Sequence, residues 1–223
     1  MKEQKITVIK FDGVLMEREI PSFRGAVISV SANNPIFHNH SLDKTFSFRY
    51  PIIQYKVLDG NASLVGLAEG AESLERLFPL RSSFSLQIGR DLRDFTVKEK
   101  STVFFPADES STGNFRYFIR GWLPFSAENY HVWKEMITLA ERVNLLDTIL
   151  RGNILTLYKS FGVYFTREIK ANIVDMSVRT VSFKGVKMNA FDISVITDTA
   201  LPVHLGIGKG VSHGFGVIEN LQP

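Results

Sequence analysis

The sequence predicts an α+β protein made of two tandem ferredoxin-like units with antiparallel sheets. Three observations carry that expectation. Strand-like apolar stretches recur along the chain, intervening segments repeat their apolar residues at helical spacing, and a polar run at 107–114 divides the chain near its middle. With 223 residues, 44% of them hydrophobic, the chain can bury a core, and its length suits one large domain or two small ones.

Residues 5–11 read as a first strand. Residues 22–33 set Phe23, Val27 and Val30 at i, i+4 and i+7, as a helix would, although the alternation Ile28-Ser29-Val30-Ser31 also suits a strand. Asn33-Asn34-Pro35 ends the segment either way, and a loop holding His38 and His40 follows. A strand at 47–58 pairs with one at 62–68 through Asp59-Gly60-Asn61, a strong hairpin signal. Residues 71–78 form a short helix with Leu74, Leu77 and Phe78 on one face, and strand-like stretches run on to about 105. The order β-α-β-β-α-β is that of a four-stranded antiparallel sheet with two helices on one face. The domains expected are therefore 1–110 and 111–223.

In the second half, 115–123 reads as a strand and 127–158 as a helix with a break at Gly152. Strands follow at 164–176 and 180–197, the second interrupted near Gly185, and a last one at 215–219. This is a second β-α-β-β-β pattern in which the second helix is short or lost.

No cysteine occurs, which excludes disulfides and thiolate metal sites and fits a reducing cytoplasm. No apolar run is long enough to span a bilayer and no signal-peptide core is visible, so neither a membrane partner nor export is expected. The formal net charge of +3 is small, but the excess lies entirely from Arg151 onward, while residues 1–150 balance. A polyanion would prefer the C-terminal third, and Arg167, Lys170, Arg179, Lys184 and Lys187 are its candidate phosphate contacts.

The most specific feature is 206–216, Gly-Ile-Gly-Lys-Gly-Val-Ser-His-Gly-Phe-Gly, with five glycines in eleven positions. Glycine permits positive φ and close backbone approach, so successive amides could converge on a phosphate with Lys209 as a point charge. An irregular hairpin that needs glycines for its turns explains the segment equally well. It is neither a Walker A loop nor a dinucleotide fingerprint, because no Gly-Lys-Ser/Thr occurs and no helix has room to follow.

Ending two ferredoxin-like units, this segment resembles the glycine-rich signature of the CRISPR repeat-processing endoribonucleases of the RAMP superfamily. Gly206, Gly208, Ser212, Gly214, Phe215 and Gly216 fall where that signature wants them, and Val217-Ile218 continues it. A second match lies at 37–47. In some members a catalytic histidine follows the first helix, a lysine comes six residues later, and a short strand with aromatic and hydroxyl residues follows; His38, Lys44, Phe46 and Ser47 have that spacing. The resemblance covers both ends of the chain, while 85–200 match only in pattern.

The resemblance implies a metal-independent endoribonuclease with no cofactor, in which a ribose 2′-OH attacks the adjacent phosphate to give a 2′,3′-cyclic phosphate. His38 would be the catalytic histidine with His40 in reserve, and Lys44 would stabilise the developing charge. A histidine is suited to either proton transfer because its unperturbed pKa is roughly 6.5. Taken alone, His38-x-His40 is a pair of loop histidines, and as a metal site it lacks further ligands at usable spacing. The chain departs from the pattern in one respect: a tyrosine carried by some members would fall near Val27 or Ile28, and no tyrosine precedes Tyr50. That leaves a slower enzyme, or a pure RNA binder, open.

The partner expected is CRISPR repeat RNA, with other subunits of an RNA-guided complex if the chain is instead a non-catalytic RNA-binding subunit. A metabolic ferredoxin-like dimer holding a small anion is the third reading, and it predicts no RNA affinity. His131 and His204 have no chemical constellation around them and read as structural, and His213 lines the glycine-rich loop.

Overall fold

The computed structural model describes residues 2–32, 34–38, 50–110 and 112–221. They form two compact units, Met1–Pro106 with Ser212–Gly214, and Ala107–Val211 with Phe215–Pro223. Among the described residues no helix is long and apolar enough to cross a membrane.

The first unit is a five-stranded sheet in the order β2-β3-β1-β5-β4, formed by β1 (Lys2–Val14), β2 (Ile53–Leu58), β3 (Asn61–Leu67), β4 (Ser83–Ile88) and β5 (Asp91–Ala107). β1 is central and buries residues of both parities, Ile6, Thr7, Val8 and Ile9, so it lacks the clean alternation of a half-exposed strand. Asp59 and Gly60 both take positive φ, 51° and 78°, and set Leu58 opposite Asn61, as the hairpin signal requires. The ferredoxin-like core is β1, β2, β3 and β5, and β4 adds an outer strand that the four-stranded expectation lacked.

The ambiguous segment after β1 is a helix, α1 (Ile20–Val30), and a short helix α2 (Pro35–His38) follows it. Its buried stripe is Ile20, Phe23, Val27 and Ile28, whereas Val30 is exposed; the helical period is right, but the face is displaced from the one the sequence suggested. Phe23 meets Phe11 and Tyr55 edge-on at 5.9 and 6.2 Å. α3 (Glu69–Leu77) buries Leu74, and Phe78 at its end packs edge-on against Phe11. These aromatic contacts join both helices to the sheet in one core.

The second unit orders its strands β7-β8-β6-β9, from β6 (Thr112–Trp122), β7 (Ala171–Phe183), β8 (Val186–Thr199) and β9 (Val217–Asn220). The helical region is two helices, α4 (Ala127–Glu135) and α5 (Leu139–Ser160), and the break falls at 136–138 instead of at Gly152. The cause is a capping box: Thr138 Oγ1 accepts from Glu141 N at 3.2 Å while Glu141 accepts from Thr138 N at 3.0 Å, which starts a new helix. α5 buries Leu146, Leu150, Ile154 and Leu157 on one stripe. Gly152 sits inside this helix, where its cost of about 1 kcal/mol relative to alanine is outweighed by the buried stripe.

The strand boundaries also differ from those expected. Segment 164–170 is not strand, β7 continues to Phe183, and Gly185 is the turn between β7 and β8 instead of an interruption in one strand. Lys184 and Gly185 take φ of 51° and 79°, the conformation of a tight two-residue hairpin turn, and Phe183 pairs with Val186 across it. The result is a long hairpin whose tip carries Lys184 and Lys187.

Candidate functional site

His38 is the last residue of α2 and is half-buried. Local chemistry builds this short helix: Pro35 opens it, the Asn34 side chain accepts from Ile36 N at 3.1 Å, and Phe37 is buried in the core. A helix end leaves carbonyls without intrahelical partners. Here two successive carbonyls are met from other elements. Tyr55 Oη, on β2, donates to Phe37 O at 2.9 Å, and Arg24 Nη2, on α1, donates to His38 O at 2.9 Å.

The Arg24 guanidinium also lies 5.8 Å from the centre of the Tyr55 ring. Burial raises the Tyr55 phenol well above its usual pKa, so it stays a neutral donor at any physiological pH. Arg24 and Tyr55 therefore fix the backbone that carries the His38 ring, and nothing in the sequence reading had singled them out. The signal available was slight: Arg24 is the single charged residue of α1, and Tyr55 is the single aromatic residue of β2. His40, Lys44, Phe46 and Ser47 lie outside the described residues.

The glycine-rich segment is held by backbone pairing. Gly206 forms a bridge with Val217, Ile207 N donates to Gly216 O at 2.9 Å, Lys209 N to Leu123 O at 3.0 Å, and Gly216 N to Gly121 O at 3.1 Å. Those amides are therefore engaged within the protein and are not free to gather round a phosphate. Gly216 is required by packing: at φ 65° a Cβ would stand 1.9 Å from Ile207 O. Gly208 lies against the Trp122 indole. A single 3-10 turn spans Val211–His213, and within it Ser212 Oγ lies 3.1 Å from His213 Nδ1. Ser212, His213 and Gly214 group with the first unit.

The five basic residues of the C-terminal third divide into two kinds. Arg167 is held by Asp198 at 2.8 Å, by Thr199 Oγ1 at 3.2 Å and by Glu109 O at 3.1 Å, and Arg179 pairs with Asp192 at 3.3 Å. Their charges are answered inside the unit. Lys170, Lys184 and Lys187 are exposed and make no ion pair among the described residues, and the same holds for Lys209.

Lys184, Lys187 and Lys209 come together at one cavity of about 480 Å³, whose wall also includes Phe125, Tyr130 and Phe183. Lys170 stands apart, in an open groove beside Asp198. Sequence reasoning proposed the lysines singly and missed the aromatic residues, although Phe125, Tyr130 and Trp133 stand close together in the chain.

Two family models match this chain: one described as the Cas6b N-terminal domain over residues 2–101, and one described as the Cas6b C-terminal domain over residues 109–221. An uncharacterized protein of Methanocaldococcus jannaschii is 33% identical over 105 residues, which are 47% of this chain and 71% of that protein. Among solved structures, one described as Cas6b superposes with a TM-score of 0.84 at 26% identity, covering 98% of this chain and 100% of that one. A second, described as the CRISPR RNA processing endoribonuclease Cas6b, gives 0.71 at 22% identity over 98% of this chain and 100% of that one, a likeness of fold.

Proposed function

Because the chain belongs to the Cas6b family of CRISPR repeat-processing proteins, both of whose domains it contains, we propose that it is an endoribonuclease that binds CRISPR repeat RNA and cuts it by 2′-OH attack. The observation that carries the site assignment is His38, half-buried on a backbone held from two other elements by Arg24 and Tyr55. A proton-transfer group gains from such a mount, because an imidazole that must reach a 2′-oxygen or a leaving 5′-oxygen loses rate steeply with misplacement.

In the reaction proposed, a base removes the 2′-OH proton, the 2′-oxygen bonds to phosphorus, the P–O5′ bond breaks, and an acid protonates O5′. The upstream product ends in a 2′,3′-cyclic phosphate and the downstream one in a 5′-OH. Neutral imidazole serves the first transfer and imidazolium the second, so His38 takes one role. His40 is the reserve for that same role, and Lys44 is the cation offered to the phosphorane.

Single-turnover incubation with the repeat RNA tests this reading. Cleavage is expected to persist at full rate in EDTA, and the upstream fragment is expected to gain one water on mild acid treatment, as a cyclic phosphate does. Loss of cleavage in EDTA, restored by a divalent ion, would overturn the metal-independent step. Tight binding without any cleavage would move the chain to the non-catalytic subunit reading.

Binding is expected to weaken with salt. If Lys170, Lys184, Lys187 and Lys209 each meet one phosphate, log K against log salt should fall with a slope of roughly −3 on single-stranded RNA. Arg167→Gln should leave that slope unchanged while lowering thermal stability, because its charge already answers Asp198. A slope that drops by a full contact in Arg167→Gln would return Arg167 to the RNA face.

A further inference from the structure

The cavity in the C-terminal unit has a composition that selects its occupant. It is bounded by the start of α4, the tip of the β7–β8 hairpin and Lys209, and it holds about 480 Å³, within the range of small-molecule sites. Among the described residues no aspartate or glutamate lines it, while Lys184, Lys187 and Lys209 all do. None of the three makes an ion pair among the described residues.

The wall is firmly built. Lys209 is fixed by its amide's bond to Leu123 O, at 3.0 Å. The Lys184 ammonium lies 5.6 Å from the centre of the Phe183 ring, and Phe183 packs edge-on against Phe215 at 5.5 Å. Tyr130 stacks on Trp133 with ring planes 17° apart, and buried Phe125 lies 5.3 Å from Trp133. Tyr130 itself remains 37% exposed, so its ring has surface left to offer.

Aromatic walls with charge of one sign favour a ligand that is flat, aromatic and anionic. A fatty acid would pack its chain on the rings but bring one charge to three lysines, and a sugar phosphate would use the lysines without a flat face for the rings. A nucleotide uses both. The space admits one nucleotide and not a paired helix, which is far wider, so the base must be unpaired. Sequence-selective RNA recognition works in that way, through unstacked bases laid on aromatic side chains.

We infer that this cavity is a nucleotide pocket that takes one unpaired residue of the bound RNA, its base against Tyr130 and Phe183 and its flanking phosphates on Lys184, Lys187 and Lys209. The inference rests on the RNA-binding reading above. It assigns the pocket to a single-stranded position of the repeat, in addition to any contact with a paired stem.

The test uses the full chain and two RNAs, the repeat with its single-stranded flanks and the same repeat with those flanks paired to complementary strands. Tyr130→Ala should weaken binding of the first by about 5- to 150-fold, the range for loss of one base–aromatic stack, and leave the second within twofold. Lys184→Gln with Lys187→Gln should flatten the salt slope for the first RNA by roughly 1.4, two single-strand contacts. A 2-aminopurine placed at successive flank positions should be quenched at one of them in the parent and not in Tyr130→Ala.

Circular dichroism of Tyr130→Ala checks that the variant folds, and Tyr130→Phe, which keeps the ring, should restore the affinity. If the parent binds and cuts RNA but both sets of variants bind the flanked repeat as tightly as the parent, the pocket inference is overturned while the enzyme reading stands. Should the parent bind neither RNA, the RNA reading falls and the pocket inference falls with it.

Discussion

Replacing His38 with alanine is expected to slow single-turnover cleavage of repeat RNA by about 10²- to 10⁴-fold, the range for one general acid or base, with little change in RNA affinity. The substitution is a clean one for a structural reason. The bonds that hold this end of α2 are made to the carbonyls of Phe37 and His38, and alanine keeps both carbonyls. The ring is half-buried and Phe37 beside it provides the buried anchor, so the fold should tolerate the change and the lost rate should report the imidazole. Affinity should hold because Lys184, Lys187 and Lys209, which make no ion pair among the described residues, line the cavity of the C-terminal unit and are untouched by the substitution. If His38→Ala cuts as fast as the parent and His40→Ala does not, the role passes to His40 and the reaction class survives. If neither matters in a protein that cuts, the active site must be sought near Lys209 and His213.

The second large effect is structural. Gly216→Ala should destabilise the second unit by about 3–5 kcal/mol, the size expected when backbone strain and a steric clash coincide. At φ 65° an L-residue is already strained, and the new Cβ would stand 1.9 Å from Ile207 O, well inside contact distance. That oxygen cannot easily give way. Gly206 is bridged to Val217, Ile207 N is bonded to Gly216 O, and Ile218 N is bonded to Leu205 O, so the segment is pinned on both sides of the clash.

Gly185→Ala is the control, since its φ of 79° is similar but an added Cβ there meets nothing within 4 Å. It should cost only about 1–2 kcal/mol, the left-handed strain by itself. Thermal melting compares the two. Gly216→Ala should lower the midpoint by roughly 6–20 °C, taking about 2–4 °C per kcal/mol, and equal shifts for the two variants would show that the loop relaxes round the clash. The expectation that the glycines cradle a phosphate is narrowed accordingly, because the amides of Ile207, Lys209 and Gly216 are spent on pairing.

Local physics made much of the architecture legible in the sequence alone. Asp59-Gly60 needs positive φ twice and closes the expected β2–β3 hairpin; Leu74 and Phe78 lie on the buried face of α3 and its end; and the element order led to the two antiparallel sheets. The Thr138–Glu141 capping box was equally local, yet Gly152 drew the expected break away from it, although a long buried stripe readily carries one glycine. The glycine signature and the His38 spacing pointed to the family, because a turn-rich loop and a short candidate segment are both written in consecutive residues.

Other features depended on chain segments far apart in sequence. The pairing of Arg167 with Asp198 spans 31 residues, and the firm mount of His38 depends on Tyr55, 18 residues from the carbonyl it caps. The grouping of Lys184, Lys187 and Lys209 with Tyr130 arises only when a hairpin tip, a helix and a loop meet. Periodicity and turn chemistry act over a few residues, so they determine which elements form. Ion pairing, carbonyl capping and the walls of a cavity are through-space interactions, and only the packed tertiary structure decides which partners they join.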